Sequence, residues 1–308
     1  MKLKIESISI APKRGIIKKG VKEAVVNKLG IDGDAHAGNW SRQITLLARE
    51  SITKFNKEHG TDFDNGQFAC NIVVGGLDFS KVALFDRIRF HDVLLEVTKI
   101  GKEPHAYNSP VYEKTGTNIL FTEGIFCRVI STGEIKEGYI GSHVLKPFKI
   151  RVITLSDRAS KGEYEDLSGP KVTEKLNEFF SGLSYHPEIE NIIIPDDEEL
   201  LNNRLEEAVD ENYAAVFTTG GTGLGPRDIT PDVVMEFCDK LLPGIMEMIR
   251  IKYGMDKPNA LLSRSVAGLK DETLIYALPG SVKAVNEYMA EIIKSFEHAV
   301  LMVKGCDH

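Results

Sequence analysis

VFTTGGTGLGPRDITPD, residues 216–232, decides how the second half of this 308-residue chain is read. The apolar run over 213–219 has the length and β-branched content of a buried strand. Four glycines follow within six residues, Gly220, Gly221, Gly223 and Gly225. A helix is then announced by Thr230 as N-cap, Pro231 at the first helical position and Asp232 after it. A strand that runs through a flexible loop into a helix start aims several backbone N–H groups and a helix dipole at one point, which suits a phosphate or carboxylate. The dipole is worth only about 0.3–1 kcal/mol, so tight binding also needs side chains or a metal; Arg227 and Asp228 stand in the loop. There is no Gly-Lys-Ser/Thr ending, and Pro226 takes the last position of G-x-G-x-x-G counted from Gly221. Neither the P-loop nor the dinucleotide fingerprint therefore accounts for the stretch.

Outward from this loop, strand-like runs at 150–155, 189–194, 213–219 and 273–278 alternate with helical patterns at 170–182, 197–211, 231–253 and 281–303. That alternation predicts a three-layer α/β unit with a mostly parallel sheet. In such sheets ligands sit beyond the C-terminal strand ends. Those ends carry Ser156, Asp157 and Arg158, then Asp196 and Asp197, then the segment from Thr219 to Asp228, and finally Pro279, Gly280 and Ser281 with Lys283 a turn on. Each has a plain structural reading. Asp196 or Asp197 can cap its helix, and Asp157 with Arg158 can be a surface pair worth under about 1 kcal/mol. Four strand ends doing so together is the less economical account.

The first half has a different rhythm. Short apolar runs at 5–10, 43–47, 71–74, 87–90, 94–100, 124–131 and 141–145 are separated by Gly, Asp and Asn, and only 48–59 reads as a helix. This spacing predicts a mainly β unit of the barrel or sandwich kind. Pro147 interrupts the pattern, which puts the domains at 1–146 and 150–308. Residues 1–149 carry 22 Lys and Arg against 17 Asp and Glu, residues 150–308 carry 16 against 28, so a +5 half is joined to a −12 half. The acidic half argues against a nucleic-acid partner. Cys70, Cys127, Cys238 and Cys306 lack zinc or C-x-x-C spacing and read as buried thiols. No apolar stretch is long enough to span a bilayer, and no signal pattern opens the chain, so a cytoplasmic protein is expected.

The first half also resembles a known family. GDAHAGNWSRQITLL (33–47), LFDRIRFHDVLLEVTKIGKEPH (84–105) and TEGIFCRVISTGEIKEGYIG (122–141) are similar, in order and spacing, to the MOSC domain, a family associated with the molybdenum cofactor. Its sulfur-carrying members have Glu-Cys-His where this chain has Glu103-Pro104-His105, and persulfide chemistry needs a nucleophilic sulfur. The resemblance thus implies binding of a cofactor or precursor rather than sulfur transfer, with His36, Trp40, Arg42 and His105 as candidate ligand contacts.

The second half resembles the molybdopterin adenylyltransferases of the MogA/MoaB type. The matching pieces are SDRAS (156–160), the turn at Asp166, Ser168 and Gly169, IIPDD (193–197), TTGGTGLGPRDITPD (218–232), LLSRSVAG (261–268) and LPGSVKAV (278–285). The resemblance implies transfer of AMP from ATP to the terminal phosphate of molybdopterin, with Asp196 and Asp228 as the essential carboxylates holding Mg2+. It further implies nucleotide or pterin-phosphate contacts from Ser156, Asp157, Arg158, Thr219, Gly220, Gly221, Thr222, Gly223, Arg227, Ser263, Arg264, Pro279, Gly280, Ser281 and Lys283. A homotrimer through this domain and a molybdate or tungstate insertion protein as a further partner are implied too. The alternative is a non-catalytic carrier of the molybdenum cofactor; the paired carboxylates favour catalysis. A nucleotide-binding oxidoreductase ranks below both because the fingerprint glycines are missing.

Overall fold

The computed structural model describes residues 2–102 and 109–306. The chain divides into two compact units, one running to Lys146 and taking in Ser184–His186 and the residues from Gly305, the other comprising Pro147–Leu183 and Pro187–Lys304.

The first unit contains β1 (Lys2–Ile10), β2 (Lys19–Val21), β3 (Glu23–Asn27), β4 (Gly30–Ile31), β5 (Ile44–Ala48), β6 (Ile72–Gly75), β7 (Arg87–Phe90), β8 (Val93–Ile100), β9 (Ile125–Ser131), β10 (Gly133–Lys136) and β11 (Ile140–Val144). Its helices are α1 (Arg49–His59), α2 (Pro110–Thr115) and α3 (Leu120–Glu123). Seven strands in the order β11-β7-β8-β9-β5-β6-β1 close into a barrel, because β1 pairs back onto β11 with Lys2 opposite Ser142. The β1 sequence explains how one strand serves a closed core. Leu3 and Ile5 point inward while Lys2 and Lys4 are exposed; a bulge between Ile5 and Ser7 then shifts the alternation and brings Ile8 inside as well. Ile44, Leu46, Ile88, Phe90, Leu95 and Val97 fill the interior with them. A small second sheet, β10-β3-β4, was not expected from the sequence. Glu23–Asn27 carries too little apolar alternation to announce a strand, although Val26, Ile31 and Ile135 are buried beneath it.

The second unit contains β12 (Phe148–Leu155), β13 (Pro187–Ile194), β14 (Ala215–Thr219), β15 (Lys240–Leu241), β16 (Val266–Lys270) and β17 (Thr273–Leu278), in the order β13-β12-β14-β17-β16-β15. The first four run parallel. β16 and β15 follow at the edge, each antiparallel to the strand before it; β16 forms a hairpin with β17, and neither β15 nor β16 is announced by the sequence. The helices are α4 (Asp157–Ser160), α5 (Ser168–Phe180), α6 (Glu198–Asp210), α7 (Thr230–Phe237), α8 (Pro243–Gly254) and α9 (Val282–Val303). Strand side chains alternate between two apolar layers. On one face Phe217 stacks on Tyr276 at 5.0 Å between ring centres, Phe296 of α9 packs against both rings, and Phe180 of α5 packs against Phe296. On the other, Val216 and Ile275 pack with Leu201 and Leu205 of α6 and Val234 of α7. The helices expected over 231–253 are α7 and α8, and the short strand β15 lies between them. Thr230 is not the N-cap but the first helical residue, with Ile229 in the cap position.

Candidate active site

Because β12, β13, β14 and β17 are parallel, their C-terminal ends share one edge, and the residues that follow them are tied to one another there. Asp157 donates its backbone N–H to Asp196 Oδ2 at 3.2 Å, and Asp196 donates its own to Asp157 Oδ1 at 3.4 Å, so the ends of β12 and β13 are joined reciprocally. The Asp157 carboxylate also pairs with Arg227 of the glycine loop. Gly220 N–H bonds to the Leu278 carbonyl at 3.1 Å and Thr219 Oγ1 to that of Pro279 at 3.0 Å, linking β14 to β17. Gly220 has φ +105°, and a Cβ there would overlap the carbonyl oxygen of Leu155. Only glycine allows this approach. Gly280 is the counterpart, since its Cβ would lie 3.2 Å from the Gly220 Cα.

Thr230 has a different task from the capping expected of it. Its buried hydroxyl donates to the Gly220 carbonyl at 3.0 Å and its N–H to that of Gly221 at 3.2 Å. The start of α7 is thereby spent on closing the loop, and the anion-binding potential lies in the loop itself.

Two carboxylates, Asp196 and Asp228, come close enough at this edge for their charges to interact. Asp197 accepts from Leu200 N–H at 2.9 Å and is the N-cap of α6, which leaves Asp196 out of that cap, with its Oδ2 on the first N–H of α4. Burial, and then the neighbouring Asp228 charge, push the Asp196 carboxyl above the usual carboxylate range. Asp228 accepts from Gly225 N–H at 2.7 Å, and a Cβ on Gly223 or Gly225 would stand 2.8 or 2.9 Å from its Oδ2. The glycines therefore let the loop fold directly around a carboxylate. Two like charges brought together at a strand edge fit a divalent cation. Among the described residues no group of three or more His, Cys, Asp or Glu is arranged to hold a metal alone. A pair of carboxylates that leaves the other positions to phosphate oxygens and water is how magnesium is ordinarily bound.

The remaining candidates are less uniformly placed. Ser156 caps α4 through Ala159 N–H at 3.2 Å, and Ser281 caps α9 through Ala284 N–H at 3.2 Å. Thr222 is buried and accepts from Arg264 N–H at 3.0 Å. Arg158 lies over the Tyr164 ring at 5.4 Å, and Ser263 Oγ is 2.9 Å from Ser265 Oγ. Lys283 is exposed in the first turn of α9. The Arg264 guanidinium is bonded to the loop, to the carbonyls of Gly223 and Asp228 and the carboxylate of Asp232. Asp232 and Arg250, which holds the carbonyls of Ser263 and Ser265, were not candidates. Their partners are distant in sequence, and only the folded loop brings them together.

The first unit has its own polar cluster. Lys18 and Asp34 form a buried pair at 2.8 Å, and His36 Nδ1 stands 3.4 Å from Asp34 Oδ2. Burial pushes the Asp34 carboxyl up, but the His36 hydrogen bond and the Lys18 charge outweigh it and hold Asp34 below the usual range. Trp40 Nε1 donates to the His36 carbonyl at 2.8 Å, and the guanidinium groups of Arg42 and Arg14 lie over its ring at 5.1 and 5.5 Å. Arg42 Nε is buried and has no hydrogen-bond partner among the described residues. Burial, then the charges of Arg42 and Lys18, push Lys102 down. His105 lies outside the described residues. Cys70 and Cys127 are fully buried; burial lifts the Cys70 thiol to about 12 and Cys127 higher still, so neither is a ready nucleophile.

Over 163 residues the chain is 38% identical to a molybdopterin adenylyltransferase of Helicobacter pylori (strain J99), covering 52% of this chain and 90% of that protein. The chain belongs to the molybdopterin adenylyltransferase family. The molybdopterin adenylyltransferase of Escherichia coli (strain K12) is 36% identical over 159 residues, with 51% of this chain and 80% of that protein covered. Among solved structures, a tungsten cofactor synthesizing protein MoaB from Pyrococcus furiosus is 34% identical with a TM-score of 0.45, covering 52% of this chain and 98% of the other. Residues 151–298 match the family model described as a probable molybdopterin binding domain, and residues 32–139 match the MOSC domain. A molybdenum-cofactor biosynthesis unit of the adenylyltransferase family is thus fused to a MOSC domain.

Proposed function

We propose that the second unit transfers AMP from Mg-ATP to molybdopterin. The observation that carries this reading is the pair Asp196 and Asp228, one left out of the α6 cap by Asp197 and the other wrapped by the glycine loop. In the reaction an oxygen of the terminal pterin phosphate forms a bond to the α-phosphorus of ATP, the bond to the bridging α–β oxygen breaks, and pyrophosphate leaves. Two polyanions must meet, so positioning and charge stabilisation dominate the barrier. A magnesium ion held by Asp196 and Asp228 would supply neutralisation of the triphosphate and the leaving group. Backbone N–H groups over Gly221–Gly223 and the Arg227 guanidinium are the protein's own phosphate donors, Arg227 leaving Asp157 to reach the ligand. A phosphate nucleophile is ionised near neutral pH, with its second pKa about 6, so no general base is required. Anaerobic, ATP-dependent pyrophosphate release with molybdopterin tests the reading. Tight molybdopterin binding without turnover in the wild type would replace it with the carrier reading.

The MOSC unit, on this reading, binds an anionic cofactor or precursor through His36, Trp40, Arg42 and Lys102. Lys18 spends its charge on Asp34, while Arg42 and Lys102 crowd each other without a carboxylate among the described residues, an arrangement relieved by an anion. Equilibrium binding of molybdopterin to the full chain is expected to reveal a second site that Arg42→Ala removes and Asp228→Ala leaves. A single site in the wild type counts against the proposal.

A homotrimer built on the second unit is supported by the apolar surface of α8 and the turn after it. Ile251 and Met255 are 62% and 84% exposed, and Met248, Leu261 and Leu262, near them in sequence, are also open, apolar surface of the kind a subunit contact covers. Sedimentation equilibrium is expected to give a trimer that Ile251→Glu dissociates; a monomeric wild type contradicts it. No helix among the described residues is long and apolar enough to cross a membrane.

A further inference from the structure

Arg264 follows the short turn Pro258–Leu262 and precedes β16, on the far side of the sequence from the glycine loop, yet it touches that loop at both ends. Its backbone N–H donates to the Thr222 carbonyl at 3.0 Å and its Nε to that of Gly223 at 2.9 Å. Its Nη2 donates to the Asp228 carbonyl, and its Nη1 to both oxygens of Asp232 at 2.9 and 3.0 Å. One planar group therefore spans the entrance of the loop, the backbone of Asp228 and the first turn of α7. We infer that Arg264 is a positioning residue that sets the span of the 222–232 loop and so aims the Asp228 carboxylate at Asp196. The inference rests on the adenylyltransferase reading for its kinetic consequences only.

The geometry distinguishes this role from ligand binding. The guanidinium has five N–H groups in a fixed fork, and here the fork is committed on three sides to the protein, including the carboxylate that would compete with an incoming phosphate. The support continues behind it. Arg250 of α8 donates through Nη1 to the carbonyls of Ser265 at 3.0 Å and Ser263 at 3.4 Å, the two residues flanking Arg264. The loop's shape is thus transmitted from a long helix through two arginines. The glycines that let the loop close around Asp228 give it little rigidity of their own, so the rigidity must come from such a brace. Lysine has the charge but not the fork, and cannot hold two carbonyls and a carboxylate together.

The test compares wild type, Arg264→Lys and Arg264→Ala in the full chain. Hydrogen exchange without any substrate is expected to accelerate over 222–232 in both variants while the strands β12, β14 and β17 keep their protection. Turnover is expected to fall about 10²-fold, the scale of an ångström-sized misplacement, with KM for ATP little changed. Guanidinium added at sub-denaturing concentration is expected to restore part of the activity of Arg264→Ala and none of that of Arg264→Lys. Unchanged loop exchange with a raised KM would make Arg264 a ligand contact, and exchange raised evenly through the unit would make it merely structural. Either result overturns the inference. If the wild type released no pyrophosphate, the functional reading would fall while the loop exchange still decided the role of Arg264.

Discussion

Asp228→Ala is expected to remove pyrophosphate release by at least about 10²–10³-fold, the scale of losing a preorganised charge-stabilising group, and Asp196→Ala is expected to do the same while molybdopterin still binds. Retention of turnover by either variant would sink the assignment of the pair. The same residues have the opposite effect on stability. Burial, then Asp228, hold the Asp196 carboxyl above its ordinary range, so the fold favours the protonated acid. That favourable contribution is complete below the ordinary carboxylate pKa and is lost as pH rises through the elevated one. At neutral pH the unliganded protein therefore carries Asp196 charged at a cost. Asp196→Asn is expected to raise Tm at neutral pH and to match the wild type in acid, where both side chains are neutral. Mg-ATP should narrow or reverse the difference, because it stabilises only the protein that binds it. A destabilised Asp196→Asn across the whole range would mean that this carboxylate is structural.

Gly220→Ala is expected to damage both folding and turnover. The position has φ +105° and its new Cβ would overlap the Leu155 carbonyl oxygen, a backbone atom that cannot swing aside. Strained backbone of this kind costs about 1–3 kcal/mol, and each kcal/mol lowers Tm by about 2–4 °C for a unit of this size. The relief available to the chain is to separate the ends of β12 and β14, which carries Asp196 away from Asp228. Gly182→Ala is the control, since a Cβ there meets nothing within 4 Å. Differential scanning calorimetry and pyrophosphate release read the two effects; a Gly220→Ala variant as stable and active as Gly182→Ala would contradict the close-packed loop.

The parallel core of the second unit was legible because β12, β13, β14 and β17 are apolar runs set between helical periods, and local pattern is enough to announce them. β16 was not. Its sequence, VAGLK, spends two of five positions on glycine and lysine, and its strand state depends on the reversal at Asp271, φ +50°, that folds it onto β17. The carboxylates at the strand ends could be nominated from the sequence, but not sorted: that Asp197 caps α6 and Asp196 does not is a matter of which side chain meets Leu200 N–H. Thr230 shows the same limit. A threonine before a proline fits the N-cap pattern, yet tertiary contact with Gly220 takes its hydroxyl and moves the helix start by one residue. Arg264 was nominated for its charge, while its task comes from carbonyls that no spacing rule connects to it.

The pairing of β1 with β11 has a consequence for synthesis. The barrel is closed by its first and last strands, Lys2 opposite Ser142, so the nascent chain carries an open-edged sheet until nearly the whole unit has left the ribosome. A contact of that sequence separation is slow to form, and open edges are the places where unfinished chains pair with the wrong neighbour. Lys2 and Lys4, exposed on the very strand that waits, put charge along that edge while it stays open.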